Sequence, residues 1–368
     1  MDSQTTALNL NKKALRNSNI EILRILAMLM IIFTHLYATN SGESYTGIPQ
    51  IIFEFAISVF HSGLGVTLFM VISGYFMIRF SEKKLTKMIA VTWSCSAFAL
   101  AIEFILSHFG IGDFSLRHAF QRLTPITSRY YWYISCYVFL MILSPFFNKA
   151  IDKLKKQEFT RLVIVLLVLF YALPTFLYKD IMGDGGSGLI TMVCSYFIGA
   201  YISKFNIQVN RNKAIAAILG LSLFSFAGNM AATIVRGSTS YPFSRVCSLT
   251  TIIIAVLMVI IAAEKQSYNK AVNTLASRAI YIYMLGCFAT GVLSDFNVIL
   301  RFYNRLWLLP YSIVLSVSVL LFVFLLSYVI EYPARLVDFI VTKVLGILKN
   351  IYKKLCTKFG VKYENSDC

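Results

Sequence analysis

The sequence predicts an all-α polytopic membrane protein, a bundle of about ten transmembrane helices. Three observations predict it. The chain of 368 residues is 58% hydrophobic and only 14% charged, with a mean hydropathy of +0.70, far from an ordinary soluble domain. Apolar runs about long enough to cross a hydrocarbon core recur along it, at residues 20–38, 57–80, 88–108, 130–147, 162–178, 188–202, 214–232, 246–263, 279–293 and 308–330. The sixth and ninth are the shortest fit. Lysine and arginine gather in alternate connections between these runs, which is the third observation.

The first run carries Arg24 and His35, eleven residues apart. Eleven residues make roughly three helical turns and about 16 Å of rise, so both side chains share one face with Asn17, Glu21, Met28 and Ile31. Arginine at membrane depth costs about 2.5–3.5 kcal/mol on insertion scales, so it persists where it faces protein, water or a ligand. Two readings of the stripe stay open. In one, Glu21 and Arg24 pair at i,i+3 near the membrane surface and His35 sits close to the far interface. In the other, a cationic anchor holds an anionic ligand at one depth and a proton-transfer group stands at another, a role that suits an imidazole with an unperturbed pKa of about 6.5. Lys12, Lys13 and Arg16 precede this run as in a signal peptide, but Arg24 interrupts its apolar core and no small-residue cleavage pattern follows. A retained span is expected.

The formal net charge of +17 invites nucleic acid as a partner, and its placement argues otherwise. Basic residues concentrate at 12–16, 79–87, 149–161, 204–213 and after Arg335, and more weakly at 265–278. Alternate connections plus both termini are therefore expected in the cytoplasm of a plasma-membrane protein, with no nucleic-acid partner. Arg117, His118, Arg122 and Arg129 depart from the trend: they precede the fourth run on the other side. That loop either meets an anionic glycan or is a plain surface loop. Cys95, Cys136, Cys194, Cys247, Cys287, Cys356 and Cys368 form no close pair, and His35, His61, His108 and His118 lack metal-ligand spacing. Neither a disulfide framework nor a metal site is expected.

Later segments carry further candidates. The second run contains Gly63, Gly65 and then Ser73, Gly74 and Tyr75, small and hydroxylated residues near its inner end at about the depth of Arg24. His35 is expected level with the beginning of that run. The fourth run opens on Tyr130-Tyr131-Trp132-Tyr133, either an interfacial anchor belt or a surface for stacking on sugars, and reaches Ser144-Pro145 near its end. Glu331-Tyr332-Pro333-Ala334-Arg335 closes the last run, with Arg335, Arg24 or water as the choices for the carboxylate. One membrane domain over residues 17–335 follows a cytoplasmic segment of residues 1–16 and precedes a basic tail of residues 336–368. In the tail, Leu336, Phe339, Ile340, Val344, Leu348, Ile351 and Leu355 recur at helical spacing among Lys343, Lys349, Lys353 and Lys354. This is either an amphipathic helix on the cytoplasmic leaflet or the last span running on into solvent.

Together these segments resemble the acyltransferase 3 family of bacterial membrane acyltransferases that modify surface carbohydrates. The resemblance rests on residues 19–27 (Asn19 to Ala27, with Arg24) and His35, on Gly65-Val66-Thr67-Leu68-Phe69 leading to Ser73-Gly74-Tyr75, on Tyr131-Trp132-Tyr133-Ile134 with Ser144-Pro145-Phe146-Phe147-Asn148, and on Glu331-Tyr332-Pro333. It implies a ten-helix bundle that takes an acyl group, most often acetyl, from cytoplasmic acyl-coenzyme A as co-substrate and delivers it to a hydroxyl outside. The implied acceptor is a cell-surface polysaccharide or a lipid-linked saccharide precursor, with membrane lipid and polysaccharide-assembly proteins as further partners and no bound cofactor. The implied roles are His35 and Arg24 in catalysis, with His35 as general base or as the carrier of an acyl-imidazole. Arg24, Ser73, Gly74 and Tyr75 bind the donor. Trp132, Tyr133 and Glu331 serve the acceptor or the structure. Some members of the family add an extracytoplasmic esterase-like domain, and no Gly-x-Ser-x-Gly elbow is present in this sequence. The competing class is a transporter or flippase of lipid-linked saccharide; the chain lacks obvious inverted halves to support it.

Overall fold

A backbone in hydrocarbon must satisfy its N–H and C=O groups within itself, so apolar runs of this length become helices. A computed structural model of the chain describes residues 16–38, 48–112, 114–177, 179–180, 182–296 and 307–358. Lys12, Lys13, Tyr178 and Cys368 lie outside the described residues, as do the side chains of Lys353, Lys354 and Leu355 in the tail pattern. The helices are α1 (Ser18–Ala38), α2 (Ile48–Val59), α3 (Ser62–Tyr75), α4 (Glu82–His108), α5 (Leu116–Leu123), α6 (Trp132–Lys153), α7 (Lys156–Leu167), α8 (Leu173–Leu177), α9 (Leu189–Lys204), α10 (Arg211–Arg236), α11 (Leu249–Ala263), α12 (Lys270–Ala276), α13 (Ala279–Asp295) and α14 (Leu308–Lys358). A π-helical turn, Val168–Ala172, joins α7 to α8 ahead of Pro174, which has no N–H to continue the ladder. No strand occurs among the described residues.

All ten predicted runs are helical, but not all reach spanning length. Among the described residues seven stretches are long and apolar enough to cross a membrane, and α12 with α13, bent by 58° at their junction, makes an eighth when taken as one span. Helices α9 and α11 have 16 and 15 residues. They rise only about 24 and 22 Å against a hydrocarbon core of about 30 Å. Both are enclosed by neighbours along much of their length. The second run is also broken. Helix α2 stops at Val59, and the Nδ1 atom of His61 accepts from the Leu64 N–H at 3.1 Å to cap α3.

The basic connections meet at one end of the bundle. The Lys204 ammonium donates to the carbonyls of Ile151 (2.6 Å) and Leu154 (2.8 Å), Asn148 Nδ2 donates to Ile78 O at 2.9 Å, and the Ser18 N–H donates to Ser267 O at 2.9 Å. Lys349 of α14 pairs with Glu82 at the start of α4. The last span thus continues as one helix, through Pro333, well past Glu331.

At the opposite end the anomalous basic loop is partly internal. Arg122 is buried, pairs with Glu103, donates to Tyr131 Oη at 2.9 Å and lies 4.4 Å from the Tyr130 ring centroid. His118 contacts Tyr130 Oη at 3.1 Å. Arg129 donates to Ser187 O at 3.2 Å. Two of the four basic residues, His118 and Arg122, therefore hold α5 onto the bundle.

Helix α3 runs through the centre, buried along most of its length. Close helix approach explains its glycines: a Cβ on Gly74 would overlap Tyr196 O of α9, one on Gly199 would overlap Val71 O in return, and one on Gly65 would stand 2.6 Å from Ala27 O of α1. Antiparallel α1 and α3 are in register at the far end, where the Ser62 N–H donates to Thr34 Oγ1 at 2.9 Å. That contact fixes the depth of every candidate residue on the two helices.

Candidate functional site

The polar stripe of α1 opens onto a cavity of about 580 Å³ at the basic end of the bundle. Arg24, Met28 and Ile31 line it from α1, Val66, Phe69 and Ser73 from α3, and Lys84, Lys87, Met88 and Val91 from α4. Tyr133, Ile134, Tyr137 and Met141 of α6, the broken junction of α12 and α13 from Ala276 to Tyr281, Tyr283, and Glu331 of α14 complete the wall, with Arg16 just before α1. Seven helices converge on one chamber. Ser73 therefore shares it with Arg24, as the antiparallel register requires.

Arg24 is only partly committed to the protein. Its Nη1 donates to Glu21 Oε1 at 2.6 Å and its guanidinium carbon lies 5.5 Å from the Phe76 ring centroid. A guanidinium offers five N–H donors, so most of the fork remains for the cavity. Glu21 is buried at 3% exposure, and its second carboxylate oxygen has no partner among the described residues. The i,i+3 pair anticipated from spacing is therefore real, and it holds Arg24 at the cavity wall rather than at a lipid interface.

Charge across the chamber is lopsided. Arg278 donates to Glu331 at 2.7 Å, and Arg335 reaches the same carboxylate at 3.0 Å, so Glu331 answers neither Arg24 nor water alone. Arg16, Lys84 and Lys87 line the cavity with no ion-pair partner among the described residues. Among the described residues, three cations without an ion pair face one chamber whose only lining carboxylate is already shared between two arginines. The deeper wall is different in kind. Met28, Ile31, Val66, Phe69 and Ile134 make it apolar, and Tyr133, Tyr137 and Tyr283 line it as well.

The remaining predicted residues separate into two groups. Tyr133 lines the cavity beside the donor candidates, and the Trp132 ring stands 5.9 Å from it without lining the chamber. Gly74 is turned to α9, and the Tyr75 ring packs edge-on against Phe76 at 5.4 Å; neither lines the chamber. Ser73 donates to Phe69 O at 2.7 Å. His35 is partly buried and lies one turn beyond Ile31, the last cavity-lining residue of α1, so it stands about 6 Å farther along the helix axis. Asn148 is structural, accepting from Tyr196 Oη at 2.6 Å while it holds the turn after α3.

Sequence reasoning missed Arg278, Lys84, Lys87, Tyr137 and Tyr283 as wall residues. Lys84 and Lys87 stand i,i+3 at the start of α4, a spacing that puts them on one face, but they read equally as the basic flank of a span. The two tyrosines on α6 are spaced i,i+4, which was visible. Arg278 became legible only through the bend that carries it inward.

The model of one family, described as an acyltransferase domain, matches residues 17–333, from the start of the stripe on α1 to the Glu331-Tyr332-Pro333 segment. No curated protein and no solved structure matches the chain. A bundle of apolar helices and a match over most of the length agree: this multi-pass membrane protein belongs to the acyltransferase 3 family.

Proposed function

We propose that the protein moves an acyl group, most simply acetyl, from cytoplasmic acyl-coenzyme A to a hydroxyl of a cell-surface polysaccharide or its lipid-linked precursor. The observation that carries this reading is the chamber itself: unpaired cations at its basic end, an apolar deeper wall, and Arg24 between them with donors to spare. A nucleotide thioester has the same order of parts, phosphates, then an amide-bearing arm, then an apolar acyl end. Arg16, Lys84 and Lys87 suit the phosphates, Arg24 and Ser73 the arm. Neighbouring charges in a confined, partly dry site act more strongly than in bulk water.

The chemistry is then a single displacement. The acceptor hydroxyl oxygen attacks the thioester carbonyl carbon; a C–O bond forms, the C–S bond breaks, and His35 takes the hydroxyl proton, which returns to the departing thiolate. The thioester is already activated, so the general base addresses the remaining obstacle, a hydroxyl weakly nucleophilic at neutral pH. His35 stands on the helix that also carries Arg24, so donor and base are held by one rigid element.

Orientation belongs to the same proposal. The basic end, where the connections around Lys84, Lys153 and Lys204 meet, is the cytoplasmic face of the plasma membrane, with both termini on that side. Single cysteines placed at Lys156 and at Gly185 are expected to react with a membrane-impermeant maleimide from opposite sides of the membrane. Reaction of both from outside contradicts the orientation.

For the reaction, mass spectrometry of surface glycan from a deletion strain and its parent is the direct comparison. The expected result is an ester-linked mass, 42 Da for acetyl by its chemical composition (on the order of that value), present in the parent and absent from the deletion strain. Identical acylation in both, with altered glycan export, moves the protein to the transporter class.

A further inference from the structure

Helix α5 turns its polar face to the bundle and its apolar face away from it. Inward, Arg122 pairs with Glu103 of α4 and donates to Tyr131 Oη at 2.9 Å, while His118 Nε2 lies 3.1 Å from Tyr130 Oη. Outward, Leu116, Phe120 and Leu123 recur at i, i+4 and i+7 and are 84%, 68% and 47% exposed. A helix lying on a protein in water has the reverse polarity.

Depth narrows what that face can meet. Both ends of α5 are fixed on α4: the Phe114 ring, just before α5, packs edge-on against Phe104 at 5.2 Å between centroids, and the Arg122 carbonyl accepts from Ser96 Oγ at 2.6 Å. Phe104 and Ser96 are eight residues apart, about 12 Å of helix, which is the length of α5 itself. The short helix therefore lies along α4. Its last turn stands level with Ser96, twelve residues or about 18 Å short of the end of α4 at His108. Because α4 has 27 residues, about 40 Å against a hydrocarbon core of about 30 Å, Ser96 is near its middle. Leu123 is thus exposed at membrane depth. There a buried cation is met by protein, as Arg122 is by Glu103, and an exposed apolar face meets hydrocarbon or another protein.

We infer that Leu116, Phe120 and Leu123 are seated in the acyl chains of the lipid leaflet at the end of the bundle opposite the basic one. Continuity chooses lipid over a second protein. Phe104 and Ile105, on the outer half of α4, are exposed as the lipid-facing residues of a span are, and the Phe104–Phe114 contact carries that surface onto α5. Arg117 is exposed at the shallow end of the helix, where a long basic side chain reaches headgroups. The inference is independent of the donor reading and goes beyond it: the stretch between α4 and α6 contacts lipid and is not a loop in solvent.

The test uses the full chain in lipid nanodiscs, with its seven cysteines replaced by alanine and a nitroxide attached at one introduced cysteine at a time. Collision with oxygen, which concentrates in hydrocarbon, is compared with collision with a water-soluble nickel chelate. Leu219→Cys and Asn212→Cys, both exposed on α10, are the lipid and water references. At Phe120→Cys and Leu123→Cys oxygen is expected to dominate, as at Leu219→Cys. Domination by nickel at either site, as at Asn212→Cys, overturns the inference, because the face is then in water. Little collision with either reagent also overturns it and assigns the face to a second copy or another protein. If the cysteine-free chain is not recovered folded, Phe120→Trp in the native chain reads the same surface. The fluorescence it adds is expected to be quenched by phosphatidylcholine brominated in its acyl chains and not by aqueous iodide; quenching by iodide alone, or by neither, contradicts the inference.

Discussion

Replacing His35 by alanine is expected to lower acyl transfer to the surface glycan by about 10²- to 10⁴-fold, the usual worth of a positioned general base. The imidazole lies one turn beyond the end of the chamber, on the same helix as Arg24, and the Ser62–Thr34 contact places it level with the start of α3. Because a general base acts mainly in the transition state, the variant is expected to keep its expression level and its donor affinity. Loss of donor binding together with activity would instead make His35 a support of the chamber. His108 is the control, exposed at the end of α4 with its Nδ1 on Phe104 O at 2.8 Å. His108→Ala is expected to transfer at close to the wild-type rate. His61 is a poor control despite being a histidine in the same part of the bundle, because it caps α3. Ester-linked acyl groups counted per repeat of the glycan, in a deletion strain carrying each variant, decide among these outcomes.

The second large effect is at Arg24. Its removal takes the guanidinium fork from the chamber and also leaves Glu21 as a buried carboxylate without its partner. Breaking a buried ion pair from one side costs about 3–5 kcal/mol. Arg24→Ala therefore mixes lost binding with lost stability. Arg24→Lys separates them, since an ammonium still answers Glu21 but lacks the planar fork that matches phosphate or carbonyl oxygens in pairs. The expected outcome is a folded protein whose affinity for acetyl-coenzyme A is at least about tenfold weaker, the order of one charge-assisted hydrogen bond. The double variant Glu21→Gln with Arg24→Gln removes both charges together and is expected to fold, with donor affinity lower still.

Much of this arrangement was written in the sequence, for identifiable reasons. Arg24 and His35 share a face because 3.6 residues per turn admits no other result for an eleven-residue spacing in a helix. Ser73 meets Arg24 because consecutive spans are antiparallel, which converts distance along the chain into depth. The rest depended on tertiary contacts with no local signature. The break at Phe60 and His61 lies inside a continuous apolar stretch, and only the His61 side chain, accepting from Leu64, turns it into a helix start. Glu331 found Arg278, 53 positions away, because the α12–α13 bend carries that arginine to the wall. Tyr133 reads as part of an interfacial belt from its neighbours Tyr130 to Trp132, yet its ring turns to the chamber while Tyr130 and Tyr131 hold Arg122. Gly74 looked like a thin point of ligand approach and is a point of helix approach instead, against α9.

Titration of the purified chain with acetyl-coenzyme A, wild type beside Arg24→Lys, reads the chamber's ligand without an acceptor, a membrane potential or a glycan. Saturable binding at one site per chain, competed by coenzyme A and weakened at least about tenfold by the lysine substitution, is the result expected of a donor site anchored on Arg24. Absence of binding to the wild-type protein, or equal affinity in the two proteins, contradicts it.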